Sequence, residues 1–136
     1  MNTLLWGLQI LLALVFAFGG AMKAITPPVE LAEQAAWALR VPAWTIVVAG
    51  VAEVLAAIGL IVPAATRIRP SLTPLAASGL VLVMLLAAFW VHAPAAEWGA
   101  VATNLVLGGL AAFTAYGRWV LAPIPPRREP VRPAAA

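Results

Sequence analysis

Cysteine is absent from the 136 residues. Disulfides, thiolate nucleophiles, Cys-held iron–sulfur clusters and thiol relays are therefore chemistry this chain cannot do alone. Any redox role needs a bound cofactor, a lipid quinone or a partner. Aspartate is absent too, and five Glu face eight Lys plus Arg and a single His. Charged residues make up 10% of the chain, where a soluble domain carries about a quarter. One His and no Cys leave no pair at metal-ligand spacing, so no metal site is expected. The chain also has no Walker loop, no dinucleotide fingerprint, no Gly-x-Ser-x-Gly and no paired His motif; Gly108-Gly109 is mid-helix, not a phosphate loop.

What is present is apolar: 64% of the residues are hydrophobic. A soluble fold of this length cannot hide so much apolar surface, so lipid must solvate it. Four apolar segments are expected as membrane helices, at about 3–24, 43–62, 74–92 and 98–121. Each is close to the ~20 residues that cross ~30 Å of hydrocarbon. The runs are continuous rather than alternating, which excludes a membrane barrel. The fold class is thus all-α: an integral membrane four-helix bundle in one domain, 1–122, followed by a Pro/Arg/Ala tail, 123–136, expected to be disordered. Leu4 to Ala24 is read as a retained first helix, because no Lys or Arg precedes it and it is longer than a signal-peptide core.

Pro63, Pro94 and Pro123 mark expected helix stops, and Thr73-Pro74 an N-cap and first position. Thr26–Val41 is too polar to span. Thr26, then Pro27 and Pro28, can open a short amphipathic interfacial helix between the first two spans. Glu30, Glu33, Gln34 and Trp37 would share one face, with Leu31, Ala35, Ala38 and Leu39 roughly opposite. A loop with a stray helical turn is the alternative.

Six basic residues, Arg67, Arg69, Arg118, Arg127, Arg128 and Arg132, fall on one side of the membrane, and Lys23 and Arg40 on the other. The arginine-rich side is expected to be cytoplasmic, with both termini there. Basic residues placed as topology signals do not indicate a nucleic-acid partner, despite the pI near 10.7. Trp6, Trp44, Trp98 and Trp119 near helix ends read as interfacial anchors.

Polar groups inside a membrane are costly, so each requires a reason. Glu53 lies nine residues beyond Trp44, or roughly 13–14 Å at helical rise. It is either a proton-handling or ligand-anchoring carboxylate, or a protonated packing group. Lys23 closes the first helix in Gly19-Gly20-Ala21-Met22-Lys23 and either snorkels to the interface or pairs with a carboxylate or anionic ligand. Phe16, Gly19/Gly20 and Lys23 share a face that Gln9 continues, and the glycines would admit another helix or a flat ligand. His92 ends the third span, where it can exchange a proton near neutral pH or simply sit at the interface. Asn104, on a small-residue stripe with Gly108, Ala111, Ala112 and Ala115, reads first as a packing group. With both termini inside, Lys23, His92 and Asn104 occupy the outer half, Glu53 lies below them, and Trp37 lies in a lid above. The axial gap from Lys23 to Glu53 looks too long for a direct bond, so Asn104 is the expected partner of Glu53.

These residues resemble the DoxX-like family. Phe16 to Lys23, with its Gly pair, is similar to that family's first-helix motif. Gly50-Val51-Ala52-Glu53 followed by Gly59-Leu60 is similar to its Gly-x-x-Glu signature. Leu72-Thr73-Pro74-Leu75-Ala76-Ala77, His92 and Asn104-Leu105 fit in order, so the resemblance runs from about Leu5 to Arg118. It implies a four-helix bundle in the bacterial plasma membrane. It also implies relatives that include a subunit of a thiosulfate:quinone oxidoreductase, membrane partners of thiol and superoxide-defence enzymes, and a distant receptor chaperone. Fold alone does not choose among these.

Two functions are carried forward. In one, the chain is a membrane subunit of a quinone-linked redox system and not a self-sufficient enzyme. Glu53 and His92 would move protons there, while Lys23, Asn104, Phe16, Gly19, Gly20 and Trp37 would bind a quinone or other isoprenoid lipid, with no covalent cofactor. In the other, it is a non-catalytic scaffold or assembly factor for a protein partner or a second copy of itself. A solute or lipid transporter ranks behind both, since no broken helices are apparent.

Overall fold

The computed structural model describes residues 1–127. Four stretches of 24 residues each, Asn2–Ile25, Ala43–Thr66, Leu72–Ala95 and Trp98–Leu121, are long and apolar enough to cross a membrane. At 1.5 Å rise each reaches about 36 Å, more than the ~30 Å hydrocarbon core. The chain is an all-α, multi-pass membrane protein, and the described residues contain no strand.

Helix α1 is Asn2–Ile25. It stops at Thr26, which is extended at φ −87° and ψ 129° because the Pro27 ring bars the helical region to the residue before it. Thr26 therefore closes α1 rather than opening the next helix. The connection is a five-residue helix α2, Pro28–Ala32, then a 3₁₀ turn, Ala36–Leu39, not one continuous amphipathic helix. Its apolar side is partly as expected: Leu31 and Ala38 are buried on Ile46, but Leu39 is exposed.

Helix α3 is Ala43–Thr66, running through Pro63 to end at left-handed Arg67. Pro63 has no N–H for the Gly59 carbonyl, yet it does not stop the helix. Membrane helices tolerate proline where a neighbouring helix supplies donors, and one residue on, the Gln9 amide donates to the Leu60 carbonyl at 2.5 Å. Helix α4 is Leu72–Leu86, continued by a π-helical turn, Ala87–His92, and a 3₁₀ turn, Ala93–Ala95. Thr73 lies inside the first turn rather than at the cap, its hydroxyl buried without a partner among the described residues. Helix α5 is Trp98–Tyr116, with a π-helical turn, Gly117–Leu121. Pro123 to Arg127 has no regular structure, and the Arg127 N–H donates to the Arg67 carbonyl. The expected disorder of 128–136 lies outside the described residues.

Helix α1 packs on α3, α3 on α4 and α4 on α5, with α5 returning to α1. Each helix buries one narrow stripe at 3–4 residue spacing, such as Leu5, Gln9, Leu12, Phe16 and Gly20 in α1. The core is Leu12, Phe16, Ala57, Leu60, Ala77, Leu80, Met84, Ala111 and Ala115, with alanines allowing close approach. Large apolar side chains cover the outside, with Phe18 and Trp90 among the most exposed. That is the inverse of a soluble fold and suits lipid. Trp44, Trp98 and Trp119 also face outward near helix ends, while Trp6 is half-buried.

Candidate functional site

Two glycines decide the α1–α3 contact. A Cβ on Gly20 would lie 2.7 Å from the Gly50 carbonyl oxygen, and a Cβ on Gly50 would lie 2.6 Å from the Gly20 carbonyl oxygen. The two backbones touch, which only residues without a side chain permit. Lys23 stands one turn from Gly20 and Glu53 one turn from Gly50, on opposite sides of the crossing. Their axial gap is about 9 Å, but the helices are antiparallel and every Cα–Cβ bond leans toward its own N-terminus. The Lys23 stem therefore leans into the bundle and Glu53 leans out to meet it. Lys23 Nζ donates to Glu53 Oε1 at 2.5 Å. The expectation that Lys23 was too far from Glu53 is corrected on this ground. Asn104 does not replace it: its amide donates to the Ala100 carbonyl of its own helix at 2.9 Å.

The pair is asymmetric. The Glu53 side chain is 2% exposed and the Lys23 side chain 26%. The carboxylate is sealed in protein, whereas the ammonium reaches the open end of the bundle. Lysine has three donors, and among the described residues one is used here.

At the same end, His92 closes the π-helical turn of α4 and is buried. Its Nδ1 lies 2.7 Å from Glu97 Oε2, and Arg40 donates to Glu97 Oε1 at 2.5 Å. The Trp37 and His92 rings meet in a T-shaped, edge-to-face contact, with centroids 5.9 Å apart and planes at 80°. The hydrogen bonds from His92 and then from Arg40 hold the Glu97 carboxyl below the usual carboxylate range. A carboxylate at Nδ1 favours the tautomer with its proton there, leaving Nε2 as the free, proton-accepting nitrogen. Among the described residues no hydrogen bond reaches Nε2.

The other expected site residues divide. Phe16 is in the core and Gly20 is at the crossing, but Gly19 faces open space. Trp37 reaches His92 from the connection, as a lid residue would. Glu97 and Arg40 were missed as functional groups. Glu97 was legible only as five residues beyond His92 across a proline turn, which brings the two side chains round to each other. Arg118, counted in the sequence only among the topology signals, is itself a buried group. It is 3% exposed, and its Nε donates to Gln9 Oε1 at 2.6 Å, at the opposite end of the bundle. The clue was its place on the buried stripe of Ala111, Thr114 and Ala115. Among the described residues no three His, Cys, Asp or Glu converge as a metal site would.

The sequence profile of the DoxX-like family matches residues 7–114, from the first turns of α1 to the last turn of α5. No curated protein and no solved structure matches the chain. The matched span includes the Gly20–Gly50 crossing, the Lys23–Glu53 pair and the His92–Glu97 contact. On this match the chain belongs to the DoxX-like family.

Proposed function

We propose that the protein is a small membrane subunit of a quinone-linked redox system, not an enzyme on its own. It would sit in the bacterial plasma membrane with both termini in the cytoplasm, as the Arg67, Arg69, Arg118 and Arg127 bias supports. The observation that carries the reading is the two-part polar end of the bundle. Lys23 offers ammonium protons beside a buried carboxylate, and His92 offers a free Nε2 behind which Glu97 and Arg40 form a charged relay. A quinone head group presents carbonyl oxygens that accept hydrogen bonds, and its reduction takes up two protons together with two electrons, which the redox partner would supply. Lys23 would orient one carbonyl, and His92 would hold or release a proton at Nε2, with Glu97 stabilising the imidazolium. Trp37 would cover the ring. Phe16 and Gly20 support this end from the core and the crossing rather than touching the head group, and Asn104 braces α5.

The test is quinol oxidation or quinone reduction by the protein reconstituted with its native partner. Glu53→Gln and His92→Gln should each cut turnover at least tenfold while the complex still assembles. Unchanged turnover in both would sink the assignment.

A second reading rests on a different observation. The Gly20–Gly50 contact seals Glu53 on the bundle side, and Asn104 bonds to its own helix, so these groups serve helix pairing well. That suits a scaffold or assembly factor for a partner protein or a second copy of the chain. Native mass spectrometry of protein drawn from its own membrane separates the two readings. A stoichiometric adduct of quinone or isoprenoid mass, lost in Lys23→Met, supports the first. A partner chain with no small molecule supports the second.

A further inference from the structure

Among the described residues, Arg118 is a cation buried without a counter-ion. It lies 3% exposed in the last turn of α5, at the end of the bundle opposite Lys23 and His92. Its bonds go to neutral groups. Nε donates to Gln9 Oε1 at 2.6 Å, and one terminal nitrogen donates to Asn2 Oδ1 at 2.7 Å and the Ala122 carbonyl at 3.2 Å. The guanidinium carbon stands 5.6 Å from the centre of the Trp6 ring. The other terminal nitrogen is buried with no partner among the described residues. A guanidinium in an apolar bundle without an anion is expensive, and each unmet N–H adds to that cost.

The surroundings carry more positive charge. Arg118 lines a cleft of about 440 Å³ with Arg69, Ser71, Pro74, Trp119 and Pro123. Arg69 is held there by a left-handed backbone, φ 47°, in the turn between α3 and α4. The cleft thus has a buried cation with an unused donor, a second arginine, a hydroxyl and an exposed tryptophan at a helix end. Planar N–H forks from arginine match the oxygens of a phosphate, and a bundle end with exposed tryptophan is at headgroup depth.

We propose that this cleft binds a phosphate-bearing anion between Arg118, Arg69 and Ser71, either the headgroup of an anionic lipid or free phosphate. The anion neutralises Arg118 and takes its unused donor. The site is at the opposite end from Lys23, Glu53 and His92, so it stands or falls apart from the redox reading.

The experiment is thermal unfolding of the full chain in mild detergent, titrated separately with phosphatidylglycerol, phosphatidylcholine and inorganic phosphate. Phosphatidylglycerol should raise the midpoint saturably and phosphatidylcholine should not. If inorganic phosphate alone gives the full rise, the ligand is the free ion. Arg69→Asn keeps a residue that tolerates the left-handed backbone and removes the charge, so it should fold and weaken binding at least about tenfold. Arg118→Lys keeps the charge but loses the fork, and should weaken it further. An equal response in wild type and Arg69→Asn overturns the proposal. So does a wild type that responds to none of the three additives. If a chain ending at Arg127 then responds where the full chain does not, the carboxylates of 128–136 are the occupant instead.

Discussion

Changing Gly50 to alanine should be costly, although it adds one methyl group and raises helix propensity. The new Cβ would meet the Gly20 carbonyl oxygen at 2.6 Å, the Ala24 nitrogen at 2.8 Å and the Lys23 Cβ at 2.9 Å. Ordinary contact begins at 3.4 Å, so against the oxygen the shortfall is about 0.8 Å. Two of the three neighbours are backbone and cannot rotate away, so α1 and α3 must part. Parting the helices forfeits dispersion along the whole α1–α3 seam and stretches the Lys23–Glu53 bond across it. Overpacking of this kind costs about 1–3 kcal/mol, with the strained ion pair adding to the upper end. Gly109→Ala is the control. Gly109 has nothing within 4 Å of its would-be Cβ and sits inside α5, so the same chemical change there should gain up to ~1 kcal/mol from helix propensity. The assay is reversible unfolding in mixed micelles followed by tryptophan fluorescence, run on wild type and both variants. If Gly50→Ala is as stable as Gly109→Ala, the backbone contact does not hold the helices and the reasoning fails.

Lys23→Met should lower unfolding free energy by about 3–5 kcal/mol, because it leaves the buried Glu53 carboxyl unpaired; Glu53→Gln should cost less, because Lys23 reaches the open end, and the double variant should recover most of the larger loss; a double variant as unstable as the sum of the singles would show that the two do not interact. Gln9→Leu should cost about 2–4 kcal/mol, because it removes the donor on the Leu60 carbonyl and the acceptor for Arg118 Nε at once; micelle unfolding reads it, and a near-neutral result would refute both bonds. Glu97 is held below the usual carboxylate range, so its contribution to stability is complete above the unfolded value, ~4.3, and is lost as pH falls through the lower folded one. Melting temperatures from pH 6 down to 3 should therefore drop more steeply for wild type than for Glu97→Gln, and parallel profiles would remove Glu97 from the network.

The four spans were legible because lipid imposes a single requirement on a helix, continuous apolarity over a fixed length, and composition reports that directly. Proline was a poorer guide. Pro27 ended α1 by forcing Thr26 into the extended region, whereas Pro63 was carried through α3 beside the Gln9 donor, a tertiary contact no local pattern contains. Thr73 looked like a cap because its residue type fits one, but the chain had already turned at Arg69 and Pro70, and the helix began at Leu72. The amphipathic helix expected after α1 broke between Ala32 and Ala36, where Ala35 leaves the helical region at φ −147° and ψ 88°.

The pairing of Lys23 with Glu53 shows which geometric step the sequence reading lacked. Depth counted along each helix placed the two too far apart, and that count was correct for their backbones. Direction was left out. Side chains on antiparallel helices lean toward one another when each residue lies C-terminal to the crossing in its own helix, and both do here: Lys23 follows Gly20 and Glu53 follows Gly50 by three residues. The same rule assigns the glycines their place, since a crossing tight enough for those leaning chains to meet leaves no room for a Cβ on either. Gly-x-x-Lys on one helix and Gly-x-x-Glu on its antiparallel neighbour are therefore one device, two clearances and two charges at matching offsets. An exchange of the charges, Lys23→Glu with Glu53→Lys, would separate geometry from chemistry. It keeps both offsets and the net charge but puts the carboxylate at the open end, so a bundle that still folds while losing any ligand would assign the ammonium, not the pair as such, to binding.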